Sequence, residues 1–209
     1  MISAGNDIVA LGAIDRQRTI QPRFYSKILS LPEKELYSRP GLSEMPFEHF
    51  VWLLWSIKES VYKYCRRIEP ALIFSPSGIV VWQLDGTPFY KAVVHSGPAI
   101  LYSRSTVQDD HISTVVSVDE QFEGVWSGMA SIDRADRASQ SASVRTLILD
   151  KLSSLLPLEE GSLRIEKNPH GCPVVYSGDK ELEIPVSLAH HGPFIAYSFQ
   201  LERKKLCKL

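Results

Sequence analysis

Cysteine is scarce in this 209-residue chain: only Cys65, Cys172 and Cys207 occur, and they lie far apart. An odd, scattered set supports neither a disulfide framework nor a C-x-x-C metal site, and it fits a reducing compartment. Excess charge of one sign is also lacking. The formal net charge is −1, so nothing draws the whole molecule to nucleic acid or an anionic membrane, and any basic recognition surface must be local. No apolar run is long enough to cross a bilayer. Val51 to Trp55 is far too short, and the start of the chain carries Asp7 and no signal-peptide core, so a cytoplasmic protein is expected. No Walker loop, G-x-G-x-x-G or G-x-S-x-G motif occurs, which leaves an ordinary nucleotide fold and a serine-hydrolase nucleophile turn without support.

What is present is enough apolar material, 44% of residues against 22% charged, for one large domain or two small halves. Ile2 to Leu11 reads as a short strand carrying Asp7 near a tight bend at Gly5. Arg16, Arg18, Arg23 and Lys27 follow, and then Ser30-Leu31-Pro32-Glu33 reads as the capped start of a short helix. Phe47, Phe50, Val51, Leu54, Ile57 and Val61 recur with helical period behind Pro46, and Pro70 and Pro76 mark where that helix has stopped.

From Gly78 to about Val118, short β-branched runs separated by turn residues read as antiparallel sheet. Ser127 to Ser143 has little apolar periodicity and reads as a connector. A second amphipathic helix from Val144 to Leu156 ends at Pro157, and strands are expected over 163–166, 173–176, 186–189 and 195–199. The result is an α+β chain in which one long helix with a small, mainly antiparallel sheet occurs twice. The expected halves are 1–125 and 126–209, packed together.

Three constellations could carry chemistry. Glu59 and Lys63 stand at i and i+4 in Trp55-Ser56-Ile57-Lys58-Glu59-Ser60-Val61-Tyr62-Lys63, on a helical face shared with Trp52, Trp55 and Tyr62. Charge on an aromatic face is costly unless a metal, a phosphate or a partner side chain compensates, although a surface ion pair is the ordinary alternative. Asp7 and Glu59, converging from a strand and a helix, would suit Mg²⁺, which is usually held by one or two carboxylates plus substrate phosphates. Lys58 and Lys63 are the cationic complement. Ser187 and His190, in Pro185-Val186-Ser187-Leu188-Ala189-His190-His191-Gly192, could bind a phosphate at a strand end. His190 and His191 point to opposite sides of an extended chain and cannot chelate together.

Taken in order, Gly5-Asn6-Asp7, the Trp55 to Lys63 segment and Ser187-Leu188-Ala189-His190 resemble the 4′-phosphopantetheinyl transferase superfamily. The middle segment matches the family's W-x-x-K-E-S-x-x-K at every fixed position, and the first matches G-x-D. The last follows S-L-S-H with Ala189 in place of the second serine.

The resemblance implies Mg²⁺-dependent transfer of the phosphopantetheine arm of coenzyme A to a serine of an apo acyl or peptidyl carrier protein, releasing adenosine 3′,5′-bisphosphate. It implies that Asp7 and Glu59 ligate Mg²⁺ and that Lys63, with Lys58 nearby, stabilises the pyrophosphate. It further implies that Glu59, directly or through a metal-bound water, takes the serine proton and that Ser187 and His190 contact the 3′-phosphate or adenosine side. Having Ser-Leu-Ala-His near the C-terminus follows the order of the short holo-acyl-carrier-protein synthases. The greater length here implies that one chain supplies both walls of the site, as a monomer, with the two halves in a pseudo-twofold arrangement and the active site between them.

Two positions depart from the pattern. Val9 stands where two-halved members often carry a third acid, and the G-K-P turn is Gly171-Cys172-Pro173, so Lys167 or His170 would supply the missing cation at the coenzyme. Arg16, Arg18 and Arg23 are candidate docking charges for an acidic carrier, or else an ordinary solvated face. A non-catalytic carrier-binding or coenzyme-binding module, and an unrelated Mg²⁺-dependent phosphohydrolase, are the competing readings.

Overall fold

A computed structural model describes residues 3–86, 89–158 and 161–201. Ile2, the expected start of the first strand, and Cys207 lie outside the described residues.

The chain opens with β1 (Gly5–Ala10), every residue of which is buried. Two single-turn helices follow, α1 (Arg16–Thr19) and α2 (Pro22–Tyr25). α3 (Leu31–Leu36) starts where the sequence places it. The Ser30 side chain accepts from the Glu33 amide, and the Glu33 carboxylate returns the bond to the Ser30 amide, forming a capping box. α4 (Phe47–Ile68) is entered from Pro46 and runs six turns.

Four antiparallel strands come next: β2 (Ile79–Asp85), β3 (Tyr90–Ser96), β4 (Ala99–Val107) and β5 (His111–Ser117). With β1 they make a five-stranded sheet in the order β1-β5-β4-β3-β2. The apolar stripe of α4, including Leu54, Ile57 and Val61, packs on the sheet's inner face, formed by Val81, Val94, Leu101, Ile112 and Val116. Alternation along each strand leaves the other face partly open.

The expected connector over 127–143 is instead the strand β6 (Val125–Ser131) and the first turns of α5 (Arg137–Leu155). β6 is an edge strand whose residues alternate between half-buried and exposed, so Val125-Trp126-Ser127-Gly128-Met129 carries no strong apolar signal. Asp136 caps α5 by accepting from the Ser139 amide.

Two three-stranded antiparallel sheets complete the chain. One is β7 (Leu163–Lys167), β8 (Pro173–Ser177) and β9 (Lys180–Leu182); the other has the order β10-β11-β6, with β10 (Val186–His191) and β11 (Phe194–Gln200). Val144, Ile148 and Leu152 of α5 pack against Ile165, Val175, Val186, Ile195 and Phe199. The fold is α+β, with a long helix laid on antiparallel strands in both parts of the chain. The sheets beneath the two helices differ in size.

The two parts meet along β1. Its Ile8 and Ala10 form a small apolar cluster with Ala189, Phe194 and Ala196 of β10 and β11. β1 therefore has α4 on one face and the second part of the chain on the other.

Candidate active site

The site begins with a close approach. A Cβ on Gly5 would lie 2.2 Å from the Ser60 carbonyl oxygen and 2.9 Å from the Tyr64 Cβ, so only glycine lets β1 cross α4 this tightly. Gly5 makes no bend here: it sits in the extended strand. The Ser60 hydroxyl turns back to donate to the Ser56 carbonyl, which keeps the crossing narrow. Two residues along, on the same face of β1, Asp7 is brought beside Glu59 and Lys63.

Lys63 Nζ lies 3.1 Å from Asp7 Oδ1 and 3.9 Å from Glu59 Oε1, and it donates to the Asn6 carbonyl at 3.0 Å. The i,i+4 pair read from the sequence is present, but it is the longer contact, and the bond to Asp7 dominates. All three side chains are largely enclosed, with 11% of Asp7, 22% of Glu59 and 25% of Lys63 exposed. Asp7 Oδ2 is buried and bonds to nothing among the described residues. Burial pushes the Glu59 carboxyl above its ordinary pKa; Lys63 opposes this, the Asp7 charge adds to it, and Arg66 opposes it. Two crowded carboxylates, one with an unused oxygen, have room for more positive charge than one lysine supplies.

β10 forms the opposite wall. Ser187, Ala189 and His191 face the free edge of β1. Ser187 Oγ accepts from the Asn6 amide at 3.2 Å, His191 Nδ1 accepts from the Ala10 amide at 3.0 Å, and Ala189 packs on Ile8 and Ala10. Side chains thus satisfy an edge that β10 does not pair through its backbone. Ser187 is only 4% exposed, with its oxygen already engaged, so it positions β1 as well as lining the cleft. His190 points the other way, into the cleft. Desolvation lowers its pKa, and the nearby charges of Lys63, Arg137, His191 and Lys167 lower it further.

Lys58 is corrected. It is completely buried on another side of α4, where Nζ donates to Glu33 Oε2 at 2.8 Å, the Ile28 carbonyl at 2.6 Å and the Pro76 carbonyl at 2.9 Å. Burial lowers its pKa while Glu33 pulls it up. With three acceptors around its ammonium and no place on the cleft wall, it cannot hold a coenzyme. It fastens α3 and the turn before β2 to α4.

Two recesses share Glu59, Lys63, Leu188 and His190. One, of about 260 Å³, is basic: Arg66, Arg67, Arg145 and Lys167 line it, and Glu59 is its sole acid among the described residues. Gly171, Cys172 and Pro173 form part of its rim, with Gly171 at φ +80°, a conformation that favours glycine. Lys167 supplies a cation beside Cys172. Among the described residues His170 is held through its backbone, with its amide donating to Asn168 Oδ1 and its carbonyl accepting from Arg66.

The sequence reading missed Arg66 and Arg67, although they continue the Lys63 face at i+3 and i+4. Arg67 bonds the Pro173 and Val186 carbonyls and ties α4 to the second wall. Arg145 comes from α5, a contact that no local pattern announces. The other recess, of about 480 Å³, runs past Asp7, Val9, Trp52 and Trp55. The two tryptophans are half-buried walls of this recess, and Trp52 Nε1 is fixed by the Thr19 hydroxyl at 3.0 Å.

Val9 is 2% exposed and apolar, and among the described residues no three His, Cys, Asp or Glu side chains converge on one point. Arg16, Arg18 and Arg23 lie exposed on α1 and α2, outside both recesses, with the Arg18 guanidinium 5.2 Å from the Phe24 ring centre.

A family model, the 4′-phosphopantetheinyl transferase superfamily, matches residues 3–116, just over half of the chain. The match spans β1 to β5 and includes Asp7, Glu59 and Lys63, while the β10 wall lies beyond it. Searches of curated proteins and of solved structures give no match.

Proposed function

The chain belongs to the 4′-phosphopantetheinyl transferase superfamily, and from that premise we propose that it moves the phosphopantetheine arm of coenzyme A to a serine of an apo acyl or peptidyl carrier protein. Family membership makes it a transferase of the phosphopantetheinyl kind with coenzyme A as substrate. The holo-acyl-carrier-protein synthase type, Mg²⁺ dependence, the product adenosine 3′,5′-bisphosphate and a cytoplasmic monomer are our proposals. So are halves at 1–125 and 126–209 related by a pseudo-twofold. No helix among the described residues is long and apolar enough to cross a membrane.

The observation that carries the reading is the meeting of a basic recess and a tryptophan-walled recess at Glu59, Lys63 and His190. A pyrophosphate placed at that junction would put the coenzyme's phosphorylated nucleoside among Lys167, Arg66, Arg145 and His190. The carrier serine would enter past Trp52 and Trp55, whose bulk limits water at the reacting phosphorus.

In the reaction the serine oxygen bonds to the phosphorus that bears the pantetheine. The bond from that phosphorus to the bridging oxygen breaks, and the electron pair leaves on adenosine 3′,5′-bisphosphate. Glu59 takes the serine proton, a task suited to a carboxylate whose pKa burial has raised. Lys63 Nζ offsets the charge that grows on the leaving phosphate. Asp7, through its unpartnered Oδ2, and Glu59 fit a hard cation and would hold Mg²⁺. When bound, Mg²⁺ supplies charge neutralisation to the pyrophosphate oxygens.

The test is to incubate the protein with Mg²⁺, coenzyme A and apo carriers of the acyl and peptidyl types and to weigh each carrier. A gain of one phosphopantetheine per carrier is expected. Because Val9 leaves only two acids at the metal position, a binding module on the same scaffold is the second reading. Coenzyme A binding with no mass gain on any carrier would establish that module instead, and phosphate release without a carrier would indicate a hydrolase.

A further inference from the structure

The largest recess described above is not the largest in the molecule. A cavity of about 590 Å³ lies on the far side of β1, between the open face of the five-stranded sheet and the strands β6 and β11. That volume falls within the ordinary range for small-molecule sites. Among the described residues, its cations are Lys91 on β3 and Arg104 on β4, and no carboxylate lines it.

Neither cation forms an ion pair among the described residues. Arg104 is held in place: its Nη2 donates to the Glu120 and Gln121 carbonyls at 3.3 and 3.2 Å, and its guanidinium lies 4.3 Å from the Phe122 ring centre. Asp119, the acid that feels its charge, already accepts from the Gln121 and Glu123 amides through both oxygens. A fixed guanidinium beside a second cation, neither in an ion pair among the described residues, is a ready anion site, although both also border a smaller recess of about 170 Å³ that holds Asp85 and Glu120.

Two further features bear on what fills it. Asn6 borders this cavity and is 1% exposed, and neither its Oδ1 nor its Nδ2 has a hydrogen-bond partner among the described residues. A buried amide with both ends unmet is costly and calls for a polar group supplied from outside the chain. Apolar side chains, Phe122, Val115, Val125 and Met129, meanwhile cover much of the remaining wall.

We propose that this cavity is a second ligand site, separate from the transferase cleft, for a small amphipathic anion. Its carboxylate or phosphate head is held by Lys91 and Arg104, its apolar body lies against Phe122 and Met129, and Asn6 is the polar contact at the closed end. The proposal does not depend on the transferase reading, since it uses none of the residues that line the other two recesses.

Isothermal titration of the full chain with octanoate, octyl phosphate and octanol tests it. At least one of the two anions should bind at one site per chain, and octanol should bind at least tenfold more weakly. The tighter anion identifies the head group. Lys91→Gln and Arg104→Gln should each weaken that anion about tenfold, and Lys91→Gln should leave phosphopantetheinyl transfer unchanged. Saturating adenosine 3′,5′-bisphosphate should not displace it. No saturable binding, equal binding of octanol, indifference to Lys91→Gln, or displacement by the nucleotide would each overturn the proposal; the last would place the anion in the basic cleft instead.

Discussion

Lys58 and Lys63 stand on the same helix, each against a carboxylate from another element, yet they belong to different kinds of region. On the Lys58 side every group is answered. Its ammonium has three acceptors, Glu33 Oε2 also takes the Ser30 amide, and Glu33 Oε1 takes the Val81 amide. Both side chains are completely buried. On the Lys63 side the account is left open: Asp7 Oδ2 bonds to nothing among the described residues, the Glu59 contact is stretched to 3.9 Å, and all three groups face recesses. A buried charge with full coordination is structure, whereas charges held together without it are waiting for a ligand.

The largest effect expected from this contrast falls on the open side. Glu59→Gln keeps the volume and removes the charge. Transfer to the carrier should drop by about 10²- to 10⁴-fold, the usual span for a lost general base, while the urea unfolding midpoint does not fall. A variant with near wild-type turnover would remove Glu59 from the chemistry and erase the distinction between the two sides.

The closed side should behave in the opposite way. Lys58→Met leaves Glu33 as an unpaired buried carboxylate and should cost about 3–5 kcal/mol of stability, read by urea denaturation. The double variant Glu33→Leu/Lys58→Met should recover only the part of that loss due to the unpaired charge, because the Ser30 and Val81 amides and the Ile28 and Pro76 carbonyls still lose their partners, and the protein that remains folded should keep its transfer rate. If instead Lys58→Met left stability unchanged and abolished transfer, the lysine would belong with the cleft after all.

Gly5→Ala probes the joint that holds the open side together. Its new Cβ has the Ser60 carbonyl and Tyr64 Cβ in its way, so β1 and α4 must separate, at a cost of about 1–3 kcal/mol. Because Asp7 moves with β1, transfer should fall as well, even at temperatures where the variant is fully folded. Loss of stability without loss of transfer would show that Asp7 tolerates displacement.

The same contrast explains what could be read from the chain alone. α4, the capped α3, β10 and β11 announce themselves through period, capping residues and β-branched runs, because those signals are local. β4 and β6 do not: β4 alternates polar and apolar residues beneath a half-open face, and β6 is an edge strand. In the site, the Asp7, Glu59 and Lys63 grouping is legible because Glu59 and Lys63 share one helical face and because G-x-D and W-x-x-K-E-S-x-x-K occur together in the family the chain resembles; the crossing of Gly5 over Ser60 is not, since a glycine in an extended strand looks from the sequence like a bend. The direction of Lys58 was not, since its partner Glu33 lies 25 positions upstream and only the folded chain brings it near. Arg145 was hidden for the same reason.

The smallest expected effect concerns pH and measures what the open side costs the fold. Burial raises the Glu59 pKa above its ordinary value, so between the unfolded and folded pKa values the native protein holds more protons than the unfolded chain. The stability contributed by Glu59 is therefore fully present below its unfolded pKa, near 4.5, and is lost as pH rises through the folded pKa. Glu59→Gln cannot titrate and escapes that loss. In metal-free buffer, the urea midpoint of Glu59→Gln relative to wild type should increase from pH 4 to pH 7.5, and adding Mg²⁺ should narrow the gap by stabilising wild type alone. A gap independent of pH would mean that Glu59 is not desolvated in the folded protein, and the contrast between the open and closed sides would lose its cost to the fold.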